Sequence, residues 1–247
     1  MEIFSQEQHS HHVQRTAFVP SLRSEATSPD NYSTIVSALA DRRAVFDTAL
    51  SDLAARAAIL SAVATRLVNT LRNGYKVLVA GNGGSAAEAQ HFAAELVGRF
   101  KRERAPYAVL SLTTDTAILT AIANDYGYSD IFARQVLALG NPGDMFIAFS
   151  TSGQSENVIR AAVAAQQSLM TVVAITGDLP SRLEHCADFT VKVPLVDTPL
   201  VQELHMMVTH LLCDIAESQL STIPYAGKID SVQYKDAIDS VQDEWQR

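Results

Sequence analysis

Residues 76–100 read KVLVAGNGGSAAEAQHFAAELVGRF. The apolar run Val77–Ala80, held between Lys76 and Gly81, predicts a short buried strand. The chain then turns through Gly81-Asn82-Gly83-Gly84 and enters a helix at Ser85. Ser is a preferred N-cap, and Glu88 three residues on predicts a capping box. Three glycines permit a tight turn and leave backbone N–H groups uncovered. A helix N-terminus behind such a loop favours an anion, because its orphan N–H groups and its dipole point the same way. A plain strand-to-helix turn is the other reading of these residues. No Lys follows the glycines, so this is not a Walker loop, and the third glycine of the dinucleotide fingerprint is missing.

The same helix carries His91 and Glu95, four apart and therefore on one face. Such a pair binds a metal, exchanges a proton, or is a surface ion pair. Its place behind a candidate anion loop points to a small-molecule pocket.

A chain of 247 residues is long enough to bury a sizeable core. Its net charge of −8 argues against a nucleic-acid binder that works through backbone contacts. Cys186 and Cys213 have no metal or redox spacing and are expected to be buried thiols in a reducing compartment. There is no apolar leader at the N-terminus and no apolar run near 18 residues, so a cytoplasmic protein without a membrane span is expected.

Residues 1–30 are polar and aperiodic and are expected to form a disordered arm, in which His9, His11 and His12 are incidental. Residues 33–73 place apolar side chains at threes and fours, one broken helix or two, closed by Gly74 at a C′ position. Their apolar excess hints at contact with another subunit, and Arg42, Arg43, Arg56 and Arg66 are expected on a solvated face. Further strands are expected at 107–112, 145–149, 171–175 and 189–193. Helices are expected at 115–123, 130–139, 156–169, 181–186 and 199–221, with a turn over 124–128. The tail from Thr222 onward reads as loosely held. Short strands alternating with helices give a three-layer α/β/α domain over 31–221: a five-stranded parallel sheet behind an N-terminal helical extension, 31–74.

The loop Ser150-Thr151-Ser152-Gly153-Gln154-Ser155 lies between a strand and a helix, where ligands bind in open α/β sheets. Its hydroxyls suit a phosphate without any Lys. Asn124 and Asp125 are either turn formers or sugar-hydroxyl partners. In the last helix Gln202, Glu203, His205 and His210 interrupt an apolar pattern. Gln202 and His210 stand about 12 Å apart along its axis, so one ion is hard to reach from both.

Together GNGGSAAEAQHFAAELVGR, ANDYGYSDIF, STSGQSENVI and QELHMMVTH resemble the sugar isomerase (SIS) domain family, over residues 33–217. The resemblance implies a ketose–aldose isomerase that turns sedoheptulose 7-phosphate into D-glycero-D-manno-heptose 7-phosphate through an enediol or enediolate. It implies that Ser85, Ser150, Thr151, Ser152 and Ser155 hold the phosphate. Asn82, Gly83, Gly84, Asn124, Asp125 and Gln202 would contact the sugar, and Glu95 would also touch it. Glu95 resembles the family's catalytic base and His210 its acid partner. Zinc is implied on His91, Glu95, Gln202 and His210, in a homotetramer whose sites lie between subunits. Pro199 and Leu200 depart from the Asp-Arg pair of other members. A non-catalytic SIS module that binds a sugar phosphate, or a protein partner such as a replication initiator, is the competing reading. The retained acid at Glu95 argues against it.

Overall fold

The computed structural model describes residues 30–221. Nearly all of the expected arm and the whole tail from 222 onward, with the three arm histidines, lie outside the described residues. The elements run α1 (Asn31–Ala55), α2 (Ala57–Arg72), β1 (Val77–Ala80), α3 (Gly84–Val97), β2 (Val109–Ser111), α4 (Thr116–Tyr126), a 3-10 turn (Tyr128–Asp130) and α5 (Ala133–Leu139). Then come β3 (Met145–Ser150), α6 (Glu156–Gln167), β4 (Thr171–Thr176), a 3-10 turn (Leu183–Cys186), β5 (Phe189–Lys192) and α7 (Thr198–Leu220). By contacts the chain divides after Val45, inside α1. In the first unit Asp30 accepts hydrogen bonds from the N–H groups of Tyr32 and Ser33, and Tyr32, Ile35, Val36 and Leu39 are exposed.

The second unit holds the sheet. Five strands pair in parallel in the order β2-β1-β3-β4-β5. Each of β1, β3 and β4 is buried along its whole length, which is why they read as unbroken apolar runs rather than alternations. Successive side chains still go to opposite layers. Val77, Val79, Met145, Ile147, Phe149, Val173 and Ile175 join one core with residues of α2, α3 and α7. Leu78, Ala80, Phe146, Ala148, Val172 and Ala174 join a second core with α5 and α6. The α7 stripe Val201, Leu204, Val208, Leu212 and Ala216 repeats at threes and fours because one helical face meets the first core. This is the expected α/β/α architecture with five parallel strands.

The 33–73 region is two helices, broken at Arg56, which is one of the two forms expected. Other local expectations are corrected. Arg56 pairs with Asp178 at 3.0 Å, and Arg66 donates to Thr171 Oγ1 at 2.8 Å, so neither is simply solvated. The turn expected at 124–128 begins later: α4 runs through Tyr126, and Gly127 at φ +92° ends it. Asn124 and Asp125 are therefore exposed in the last turn of a helix. Cys213 is buried but Cys186 is only half-buried, and both are free thiols. Among the described residues no single helix is long and apolar enough to cross a membrane.

Candidate active site

The strand order reverses at β1, whose neighbours are β2 on one side and β3 on the other. At such a switch point the loops leave in opposite directions and open a crevice at the carboxyl ends of the strands. The 81–84 loop leaves β1 there and the 150–155 loop leaves β3.

The first loop is not closed by a capping box. Helix α3 begins at Gly84 with Gly83 as its N-cap, and no side chain caps it. Gly83 adopts φ +56°, a left-handed conformation that suits glycine, and this starts the helix one residue early. Ser85 then falls inside the first turn, buried, with its N–H bonded to Asn82 O at 2.9 Å. Glu88 turns inward instead of back to the cap. Its Oε2 lies 3.4 Å from Nδ1 of His205, which is fully buried, so His205 belongs to the core and not to the groove. Gly84 has a packing reason as well: a Cβ there would collide with the Gln202 amide. That close approach brings α3 and α7 together and seats Gln202 beside the loop.

A groove of about 460 Å³ runs along this seam, lined among others by Gly84, Glu88, His91, Pro199 and Gln202. Farther along the same two helices, His91 Nε2 lies 3.0 Å from His210 Nε2 and 3.2 Å from Glu95 Oε1. Ligand atoms of His91, Glu95 and His210 all fall within 4.8 Å of one another. Two imidazoles and a carboxylate, half-buried, are a donor set suited to a divalent metal. They are equally an acid–base set. Glu95 and His210 thus meet within one chain.

At the second loop, Ser150 is buried and its Oγ accepts from Gly153 N at 3.1 Å. Ser152 Oγ accepts from Gln154 N at 3.2 Å, and Ser155 is the N-cap residue of α6 without spending its hydroxyl on the cap. Thr151 is half-buried between them and its carbonyl accepts from Gly177 N. The loop thus gathers hydroxyls at the N-terminus of a 12-residue helix, an arrangement that favours anions. Asn124 and Asp125 bond to each other at 2.8 Å.

Sequence reasoning missed the residues that hold this arrangement. Asn157, in the first turn of α6, exchanges two amide hydrogen bonds with Asn82 and so ties the first loop to the second. Tyr128 donates its phenolic proton to the same Asn82. Glu217, two turns beyond His210, accepts from the backbone N–H groups of Phe100, Lys101 and Arg102 at 2.7–2.9 Å. The Phe100 ring stacks on His210 at 5.4 Å. Arg104, almost fully buried, lies 3.3 Å from Glu217 and donates to the carbonyls of Glu95, Leu96 and Gly98 at the end of α3. Burial pushes the Glu217 carboxyl up, but the three N–H bonds and the Arg104 guanidinium outweigh it and hold the group below the ordinary glutamate range. Cys213 sits in the same region; burial, and then the Glu95 charge, push its thiol up to about 12, so it is an inert core residue. The one signal in the sequence was polar residues interrupting apolar helical faces.

The model of the family described as SIS domain matches residues 43–177. A phosphoheptose isomerase of Roseiflexus sp. is 52% identical over 165 residues, 67% of this chain and 84% of that protein. One from Bradyrhizobium sp. is 45% identical over 178 residues, 72% of this chain and 87% of that protein. Among solved structures, a phosphoheptose isomerase from Neisseria gonorrhoeae has a TM-score of 0.69 and 38% identity, covering 76% of this chain and 99% of that one. The chain belongs to the SIS domain family and, within it, to the phosphoheptose isomerases.

Proposed function

We propose that this chain interconverts sedoheptulose 7-phosphate and D-glycero-D-manno-heptose 7-phosphate, the entry step to nucleotide-activated heptose. The observation that carries the reading is the meeting of Glu95, His91 and His210 beside a groove at the carboxyl ends of the strands. Relatives at about half identity carry the same activity in their names.

The residues divide the work as follows. Hydroxyls of Ser150, Thr151, Ser152 and Ser155, with the N-terminus of α6, bind the phosphate; Ser85 supports it from the first turn of α3. Asn82, Gly83, Gly84, Asn124, Asp125 and Gln202 contact the sugar. Glu95 takes the proton from C1 of the ketose and returns it to C2, which is the net change a ketose–aldose isomerisation requires. His210 manages the proton on the substrate oxygens, so that the negative charge of the enediolate is never left unpaired. His91, Glu95 and His210, joined by Gln202, would hold a zinc ion, which supplies Lewis-acid polarisation of those oxygens when bound.

The proposal includes a homotetramer with sites between subunits, and residues 31–221 working as one SIS domain. Exposed Val97 on α3 and exposed Met207 and Leu211 on α7 support association, since large apolar side chains near a site suit a subunit contact. The two free thiols suit the cytoplasm.

The test is incubation of the purified chain with sedoheptulose 7-phosphate, with and without zinc, following aldose phosphate. Steady production supports the reading. No turnover in either condition would favour a non-catalytic sugar-phosphate module.

A further inference from the structure

The side chain of Asn82 sits at the centre of a hydrogen-bond group that joins three segments. Its Nδ2 donates to Asn157 Oδ1 at 2.8 Å, and its Oδ1 accepts from Asn157 Nδ2 at 2.9 Å. The Tyr128 hydroxyl donates to the same Oδ1 at 3.0 Å. The orientation of both amides follows from a group that can only donate. The backbone N–H of Val158 reaches Asn157 Oδ1 at 3.0 Å, an N–H it shares with Ser155 O. Flipping the Asn157 amide would set an NH₂ against that N–H. Asn157 therefore presents its oxygen to Val158 and to Asn82 Nδ2, and its NH₂ to Asn82 Oδ1.

Counting valences then fixes what Asn82 offers a ligand. A carboxamide oxygen has two lone pairs and a carboxamide nitrogen has two hydrogens. Both lone pairs of Oδ1 are used, by Asn157 and by Tyr128. One hydrogen of Nδ2 is used and one is left. Asn82 thus has one hydrogen left to donate and no lone pair left to accept with. A sugar presents hydroxyls that must also donate, and the phenolic oxygen of Tyr128, having given its proton to Asn82, keeps its lone pairs. Tyr128 is 62% exposed, so it is open to a ligand, whereas Asn157 is buried and is not.

We propose that Tyr128 is a sugar-contacting residue, its phenolic oxygen accepting a hydrogen bond from a substrate hydroxyl, and that Asn157 is a positioning residue that makes Asn82 a donor only. The inference rests on the reading that a sugar phosphate occupies the crevice beside the 81–84 loop. The chain then runs from a sugar O–H to Tyr128, from Tyr128 to Asn82, and from Asn82 to an acceptor oxygen on the ligand. Each hydrogen bond in such a row polarises the next.

The experiment is steady-state kinetics with sedoheptulose 7-phosphate on the full chain, with inorganic phosphate as competitive inhibitor. Tyr128→Phe removes one oxygen from an exposed ring and keeps the fold. It is expected to raise KM about tenfold, the loss of about one hydrogen bond, and to leave the inhibition constant of phosphate unchanged. Combining it with Asn82→Ala separates contact from positioning. A factor that persists in the Asn82→Ala background is the expected result. A factor that vanishes there, or a single variant with the wild-type KM, overturns the sugar contact.

Asn157→Asp keeps the acceptor for Val158 and turns an oxygen on Asn82 Oδ1. It is expected to lower kcat/KM about tenfold and to add nothing to Asn82→Ala; Asn157→Ser serves if the Asp variant melts early. Wild-type kinetics in a folded Asn157 variant overturns the positioning role. Failure of the wild-type chain to bind or turn over the sugar phosphate is a different result, and it sinks the functional reading itself.

Discussion

The Nε2 atoms of His91 and His210 lie 3.0 Å apart although 119 residues separate them in the chain. Two imidazole nitrogens at that distance share one proton or turn two lone pairs toward one cation. Glu95 Oε1, 3.2 Å from His91, adds the negative charge that either arrangement favours. The trio is at once a proton-sharing set and a metal donor set.

Zinc titrated into the metal-stripped chain is expected to bind at one ion per chain, read by calorimetry or equilibrium dialysis. His91→Ala or His210→Ala is expected to weaken it by more than the roughly 10–100-fold that loss of an outer hydrogen-bond partner costs. Unchanged affinity in either variant would take that imidazole out of the ligand set.

Glu95→Gln keeps the shape of the side chain and removes its basicity. Turnover is expected to fall by about 10²–10⁴, the range for a general base, with the melting temperature close to wild type. A variant that works at near wild-type rate would mean that the proton on carbon leaves by another route.

Phosphate binding is expected to depend on hydroxyls. Ser152→Ala with Ser155→Ala should raise KM about tenfold or more, since bonds to a charged ligand contribute roughly 1.5–3 kcal/mol each. The two side chains are not used to cap α6, so the fold should tolerate the change. Native folding with an unchanged KM would remove this loop from the site.

The layers and the five strands were legible because buried parallel strands are short apolar runs and glycine or proline marks their ends. The Ser150–Ser155 and Gly81–Gly84 loops were legible for the same reason: turn chemistry is local. The capping box was misread because Ser85 and Glu88 satisfy the local rule, while Gly83 can take a conformation that starts the helix earlier and a buried histidine claims Glu88. Asn82 and Asn157 are 75 residues apart, and Arg104 and Glu217 are 113 apart. No periodicity links such pairs; only the strand order that sets their loops side by side does.

The buried pair of Arg104 and Glu217 fixes the end of α3 to α7 and so sets the spacing of Glu95 and His210. Removing one partner of a buried pair leaves the other charge unmatched, so Glu217→Gln is expected to lose about 3 kcal/mol at pH 7 by urea unfolding. The folded-state pKa of Glu217 is depressed relative to the unfolded chain. Its contribution is therefore complete above the ordinary glutamate range, near pH 4.3, and is lost as pH falls through the lower folded value. The gap between wild type and variant should narrow on acidification below about pH 4. A gap that is absent at pH 7, or that widens in acid, contradicts this account.

The last expectation concerns which chain supplies which group. Glu95 and His210 approach within a single chain, through the packing of α3 on α7 and the contact of both with His91. A mixture of Glu95→Gln and His210→Ala chains, allowed to exchange subunits, then contains no site with both groups intact. Activity should stay at the background of the separate variants. Exchange is verified with two affinity tags, so that silence cannot be blamed on failure to mix. A neighbouring subunit is still free to add contacts around the sugar, and such a contribution would leave this outcome unchanged. Recovery of a sizeable fraction of wild-type turnover in tagged hybrids would show the acid–base pair to be assembled across chains, and the single-chain arrangement of His91, Glu95 and His210 would then not be the working one.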